Sequence, residues 1–258
     1  MRLHAQTAGT GPDLVLLHGW GMNAGVWQPV IEGLAARHRV TALELPGHGA
    51  SAFDPARGTL RHWAAACLDA APSQAIWLGW SLGAQVALQA ALDAPERVRG
   101  LVVVAGTPRF VQDEDWPHAM PDATFRQFAA ALASDHAGTL DRFLGLQVRG
   151  GAEARETLRE LRAAIRARPA PQLGALRAGL ELLLGVDLRA DLPGLQPPSL
   201  WLFGERDTLV PADVVHPLET LVPSAEILIV HGAAHAPFLS SPGLFLELLG
   251  RFLDTVGE

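Results

Sequence analysis

The sequence has one cysteine, Cys67, among 258 residues, and no lysine. A lone cysteine excludes a disulfide framework and a cysteine-based metal site. Cys67 falls in the stretch 63–70, which reads as helix, and is expected to be a small buried side chain. All 20 basic residues are therefore arginine, which we read as composition bias rather than function. Positive charge is also scarce overall. The formal net charge of −7 disfavours a general nucleic-acid role. No apolar run reaches the roughly 18 residues of a membrane span. The opening Met1-Arg2-Leu3-His4-Ala5 lacks the apolar centre of a signal peptide. Internal repeats, low-complexity tracts and linkers are missing as well. These absences lead us to expect a cytoplasmic monomer that engages neither nucleic acid nor membrane. Apolar residues are plentiful at 49%. At this length they suffice for one α/β domain with an insertion.

The chain is organised around Gly79-Trp80-Ser81-Leu82-Gly83. A strand-like run, Ala75-Ile76-Trp77-Leu78, leads in, and an alanine-rich helical run from Leu82 to Leu92 leads out. A strand, a G-x-S-x-G turn and a helix together make a nucleophile elbow. The serine must sit on a sharp, unfavourable turn, so its neighbours at −2 and +2 must be small. Ser81 is the candidate nucleophile. Upstream, the apolar run 13–17 ends in His18-Gly19-Trp20-Gly21. An H-G-x-G loop after a strand, beside an elbow, reads as half of an oxyanion hole. The main-chain N–H groups of Trp20 and Leu82 are its two candidate donors.

The rest of the chain alternates. Segment 26–36 reads as helix and 39–43 as strand, and Glu44-Leu45-Pro46-Gly47-His48-Gly49 turns the chain. His48 competes for the role of catalytic base, but it precedes the serine in a glycine turn and is taken as structural. Segment 59–71 reads as helix and 101–105 as a fully apolar strand, expected in a sheet covered on both faces. From 110 to 191 the pattern is helical, with helices near 122–134, 138–147, 152–168 and 171–184 and no convincing strand. We expect a core formed by 1–109 and 192–258, with 110–191 inserted as a lid that excludes water and selects substrate. Strands resume at 199–203 and 225–230, and a final helix spans 242–256.

A serine nucleophile needs a base, and the base needs a carboxylate to orient it. In α/β-hydrolases the order is Ser, acid, His. Asp207 follows the strand 199–203, and His235 follows the last strand. Glu205 competes with Asp207, and His231 with His235. Loop position and the Asp-x-x-Val-Pro context favour Asp207, and deeper placement in its loop favours His235. This chemistry requires no cofactor or metal.

On the helix 152–168, Arg155, Arg159, Arg162 and Arg166 fall within about 60° of one another at 100° per residue. Leu158, Leu161 and Ile165 form a separate apolar face, and Glu153, Glu156 and Glu160 occupy the remaining side. An arginine stripe on a net-acidic protein suits an acidic partner or a phosphate. It also suits a solvated face of i, i+3 and i, i+4 pairs, and the residues alone leave both readings open.

The chain resembles α/β-hydrolases throughout, and more narrowly the pimeloyl-acyl-carrier-protein methyl ester esterases of biotin synthesis. The resemblance is carried by segments 14–22 (L-V-L-L-H-G-W-G-M), 75–83 (A-I-W-L-G-W-S-L-G), 95–99 (P-E-R-V-R), 142–147 (R-F-L-G-L-Q), 179–188 and 233–238 (A-A-H-A-P-F). It implies Ser81 as nucleophile, His235 as base and Asp207 as its acid, with Trp20 and Leu82 as oxyanion donors. It further implies that Phe143, Leu144, Gly145, Leu146 and Gln147 line the acyl channel. Arg142, Arg155 and Arg159 become expected contacts to an acyl carrier protein. One departure stands out, because the family pattern has a further arginine where this chain has Gly138. Two other readings share the scaffold: a generalist carboxylesterase or carbon–carbon bond hydrolase, and a ligand receptor with a vestigial triad. A dehalogenase is disfavoured, since its nucleophile is an aspartate and the elbow here holds Ser81. Fold alone does not choose among them.

Overall fold

The computed structural model describes residues 1–257. Seven strands form one sheet: β1 (Ala5–Ala8), β2 (Asp13–Leu17), β3 (Arg39–Leu43), β4 (Ala75–Trp80), β5 (Val98–Val104), β6 (Ser199–Gly204) and β7 (Glu226–Val230). Their order is β1-β3-β2-β4-β5-β6-β7, and every pairing is parallel except β1 with β3. The helices are α1 (Gln28–Ala35), α2 (Leu60–Ala70), α3 (Leu82–Asp93), α4 (Asp122–Ser134), α5 (His136–Gln147), α6 (Ala154–Arg166), α7 (Leu173–Gly185), α8 (Val215–Leu221), α9 (Pro237–Ser240) and α10 (Pro242–Gly257). No helix among the described residues is long and apolar enough to cross a membrane.

The strand residues explain why both sheet faces are covered. Side chains alternate across a strand, and here both sets are apolar. Val15, Leu17, Trp77, Leu101, Val103, Trp201 and Phe203 enter one core. Leu14, Leu16, Ile76, Leu78, Val102, Val104, Leu200 and Leu202 enter the other. Cys67 is buried within α2, and burial pushes its thiol pKa up. It therefore behaves as a small apolar side chain.

Two local expectations are corrected. The segment 26–36 is not one helix. It opens as a 3-10 turn at Ala24–Trp27, capped by Asn23, whose side chain accepts from the Gly25 N–H. It becomes α-helical only at Gln28, with Pro29 in the first turn. β1 was not expected at all. It is four residues long, mostly exposed, and pairs on one side only, so it lacks the apolar alternation that betrays a strand.

Two features position the site. Because β2 to β7 run parallel, the loops after β2, β4, β6 and β7 all open at one sheet edge. The chain also changes direction between β2 and β4, which lie side by side. Such a switch point opens a crevice beyond the strand ends. Helices α4 to α7 fall between β5 and β6 in sequence, and this insertion has no strand, only isolated bridges such as Val111 to Met120. Within it, α6 packs on the turn 24–27 and on α9, while α7 packs on α3.

Candidate active site

Ser81 stands between β4 and α3 with φ 57° and ψ −120°. A non-glycine residue there costs about 1–3 kcal/mol, and neighbouring structure must enforce it. The flanking glycines show how. A Cβ on Gly79 would lie 2.3 Å from the Gly83 carbonyl oxygen, and one on Gly83 would lie 2.4 Å from that of Leu17. The turn closes only without those side chains. The Ser81 N–H donates to the Val104 carbonyl at 3.0 Å, holding the elbow to the end of β5. Ser81 is 3% exposed.

The four competing acids and histidines sort into two pairs. His235 Nδ1 donates to Asp207 Oδ2 at 2.7 Å, and both side chains are buried. The other Asp207 oxygen accepts the N–H groups of Leu209 and Val210 at 2.8 and 3.0 Å. That fixes the carboxylate plane and the imidazole tautomer together. Glu205 instead accepts from the Gly232 N–H at 2.8 Å and faces His231, whose side chain is 87% exposed. That pair staples two surface loops. His235 Nε2 is buried with no hydrogen-bond partner among the described residues. The base loop is tied to the elbow through Trp80, whose indole N–H donates to the His235 carbonyl at 2.7 Å. Trp80 immediately precedes the nucleophile.

The loop after β2 lies against the elbow. A Cβ on Gly19 would sit 3.2 Å from Ser81 Cβ. The main-chain N–H groups of Trp20 and Leu82 donate no hydrogen bond among the described residues. For Leu82 this follows from its place in the first turn of α3, where N–H groups have no intrahelical acceptor. The helical insertion covers the loop. Trp20 Nε1 donates to the Leu176 carbonyl at 2.8 Å, and the Trp20 ring meets Phe143 edge-on at 4.8 Å. A Cβ on Gly179 would lie 2.7 Å from the Trp20 indole, so α7 needs a glycine there.

Phe143 to Gln147 form the last turns of α5. Phe143, Leu144 and Gln147 are buried, and Leu146 packs against the core. The Gln147 carbonyl accepts the His235 N–H at 3.0 Å, and Gln147 Oε1 is buried without a partner among the described residues. Gly145 has open space about its Cα. The arginines are partly committed within the chain. Arg142 reaches Asp135 and Thr139, Arg159 pairs with Glu156, and Arg162 makes a two-pronged pair with Asp141. Arg155 and Arg166 make no ion pair among the described residues. Gly138 stands in the first turn of α5, under its N-cap. Asp135 accepts the Gly138 N–H at 2.9 Å, and a Cβ there would meet its carboxylate at 2.1 Å.

Sequence reasoning missed the ties that hold these parts. His18 and His48 bond across to neighbouring main chain and are both buried. Glu44, fully buried, pairs with Arg168 at 3.0 Å. The Glu44-to-Gly49 turn marks the region, but nothing local shows what its side chains reach.

A family model described as alpha/beta hydrolase fold matches residues 12–242. A pimeloyl-[acyl-carrier protein] methyl ester esterase of Xanthomonas oryzae is 46% identical over 254 residues, covering 98% of this chain and 100% of the relative. The chain belongs to the α/β-hydrolase family, among the pimeloyl-[acyl-carrier protein] methyl ester esterases. Likewise named proteins of Stenotrophomonas maltophilia and Xylella fastidiosa are 47% and 44% identical. They cover 97% and 98% of this chain, and 96% and 100% of their own lengths. Among solved structures, an esterase from Exiguobacterium antarcticum superposes with a TM-score of 0.85 at 19% identity, over 98% of this chain and 95% of that one. A bromoperoxidase from Bacillus anthracis gives 0.86 at 23%, over the same shares. At those identities the likeness speaks for the fold alone.

Proposed function

We propose that this chain is a serine carboxylesterase that hydrolyses the methyl ester of pimeloyl-acyl carrier protein, freeing the distal carboxylate for biotin synthesis. The observation that carries the reading is 46% identity along essentially the whole of relatives bearing that name. The buried Asp207–His235 pair, its loop tied to the elbow by Trp80, and the strained Ser81 support it chemically.

In this reading His235 Nε2 takes the Ser81 proton as Oγ attacks the ester carbonyl. The Trp20 and Leu82 N–H groups hold the oxygen that becomes negative. Collapse expels methanol, which leaves with the proton from His235. A water, deprotonated by the same nitrogen, then attacks the acyl-serine and returns Ser81 to its hydroxyl form. Asp207 keeps the imidazole in the tautomer that leaves Nε2 free to accept. In apo structures the serine–histidine bond often forms only when substrate arrives. Helices α4 to α7 act as a lid, and Phe143 to Gln147 line the acyl channel. Arg142, Arg155 and Arg159 receive the acidic carrier protein, Arg155 being the one without an internal ion pair among the described residues. The enzyme acts as a cytoplasmic monomer.

The test compares methyl pimeloyl-acyl carrier protein with a free butyrate ester. A strong preference for the carried ester, weakened by salt, supports the reading. Turnover of the free ester alone moves the chain to the generalist esterases. Arg155→Ala with Arg159→Ala should slow the carried ester and spare the free one, whereas equal loss on both would mean damage to the lid.

A further inference from the structure

Trp20 lies between two peptide planes, and a buried histidine holds each of them. The carbonyl of Gly19 and the N–H of Trp20 belong to one peptide unit. In a trans peptide these groups point in opposite directions. His18 Nδ1 donates to the Gly19 oxygen at 2.8 Å, so the ring that fixes this oxygen also fixes where the Trp20 N–H points. The far nitrogen of His18 accepts the Leu45 N–H at 3.0 Å, which ties the ring to the loop after β3. The next peptide unit joins Trp20 to Gly21. Its N–H donates to His48 Nε2 at 3.2 Å, and His48 Nδ1 donates to the Pro46 carbonyl at 3.0 Å. Gly21 has φ +72°, a left-handed turn that glycine adopts without strain.

We propose that His18 and His48 are positioning residues that clamp Trp20 from both sides and aim its N–H at the oxygen that becomes negative during acyl transfer. The proposal rests on the esterase reading, since it assigns the device a step in that reaction. Each ring faces an N–H with Nε2 and a carbonyl with Nδ1, so both are neutral Nδ1–H tautomers. Burial keeps them so. It pushes His48 down to about 4, and it pushes His18 well below its usual range, helped by the neighbouring His48. The rings stand 5.3 Å apart. They join the oxyanion loop to the segment 44–51, which the insertion also grips. The Gln172 N–H donates to the Gly47 carbonyl at 2.8 Å, and Arg168 pairs with Glu44. The loop lies close against the nucleophile, since even a Cβ added at Gly19 would sit 3.2 Å from Ser81 Cβ. Small misplacements of a catalytic donor are costly in rate and nearly silent in ground-state binding.

The experiment compares His48→Leu with His48→Gln on a free butyrate ester, with Ser81→Ala as control. Leucine removes the acceptor, and glutamine offers an oxygen near the lost Nε2. The proposal expects His48→Leu to lower kcat about tenfold or more with KM within about twofold. An aryl boronic acid, which mimics the tetrahedral oxyanion, should lose affinity by the same factor as kcat/KM. His48→Gln should regain most of the loss. Unchanged kcat in His48→Leu, or equal loss in both variants, overturns the clamp while leaving the esterase reading intact. Turnover retained in Ser81→Ala would instead sink the esterase reading itself. If His48→Leu does not fold, the wild-type ¹⁵N imidazole spectrum decides. Both rings must show a protonated Nδ1 and a bare Nε2 at neutral pH, and any other state for His48 overturns the proposal.

Discussion

Replacing Asp207 by asparagine tests the acid–base arrangement most directly, because the structure fixes which way the new amide must face. One Asp207 oxygen accepts two main-chain N–H groups, from Leu209 and Val210, and the other accepts His235 Nδ1–H. Asparagine has one oxygen and one NH₂. Turned with its oxygen to the two N–H groups, it sets its NH₂ against His235 Nδ1. That nitrogen must then accept, so the proton moves to Nε2 and the base can no longer take the Ser81 proton. The opposite orientation preserves the tautomer but leaves two buried N–H groups facing a donor. Each costs about 1–3 kcal/mol, so the productive arrangement is disfavoured by about 2–6 kcal/mol. At 1.36 kcal/mol per factor of ten, kcat should fall between about 30-fold and about 3 × 10⁴-fold. Steady-state kinetics on a chromogenic butyrate ester, with circular dichroism to check folding, would measure it. Glu205→Gln is the matched control, since Glu205 pairs with an exposed histidine, and it should stay within about twofold. A folded Asp207→Asn enzyme within tenfold of wild type, or an equal loss in Glu205→Gln, refutes the assignment.

Three further outcomes follow from the packing. Gly83→Ala drives a Cβ to within 2.5 Å of the Leu17 and His18 carbonyl oxygens and should cost more than about 3 kcal/mol, whereas Gly145→Ala meets nothing within 4 Å and should gain up to about 1 kcal/mol of helix propensity; thermal melts of both check the contrast. Arg168→Ala leaves the buried Glu44 carboxylate without its cation and should cost about 3 kcal/mol, with Glu44→Gln in the same chain recovering part of it, as denaturant midpoints would show. Stability should also fall on acidification. His48 protonates near 4 when folded, against 6.5 when unfolded, so between those values the unfolded chain binds the extra proton. The stabilisation of the neutral ring is complete above 6.5 and declines by about 3 kcal/mol as pH falls through 4, with His18 adding in the same direction. Urea titrations of wild type and His48→Gln from pH 7 to 4 test this, and equal slopes in the two would count against it.

Local chemistry determined much of this protein. The strands 13–17 and 39–43 and the helix 122–134 fall where apolar runs and helical periodicity place them. That follows because a strand covered on both faces is continuously apolar and a surface helix repeats every 3.6 residues. The elbow was legible in part for a similar reason: Gly79 is required by the main chain of Gly83 and Ala84, within five residues of it, whereas Gly83 is required by Leu17 and His18 across the fold. β1 was not legible, since an exposed edge strand of four residues has no pattern to show. Position in the chain ranked Asp207 over Glu205 and His235 over His231, but the pairings themselves are tertiary. They depend on how deeply two loops after different strands sink beneath the sheet edge. The same holds for the histidines that grip Trp20 and for the Glu44–Arg168 tie, which join residues 27 and 124 positions apart. The chain alone supplies groups of the right kind. Which nitrogen meets which N–H is decided only when the loops converge at the switch point between β2 and β4.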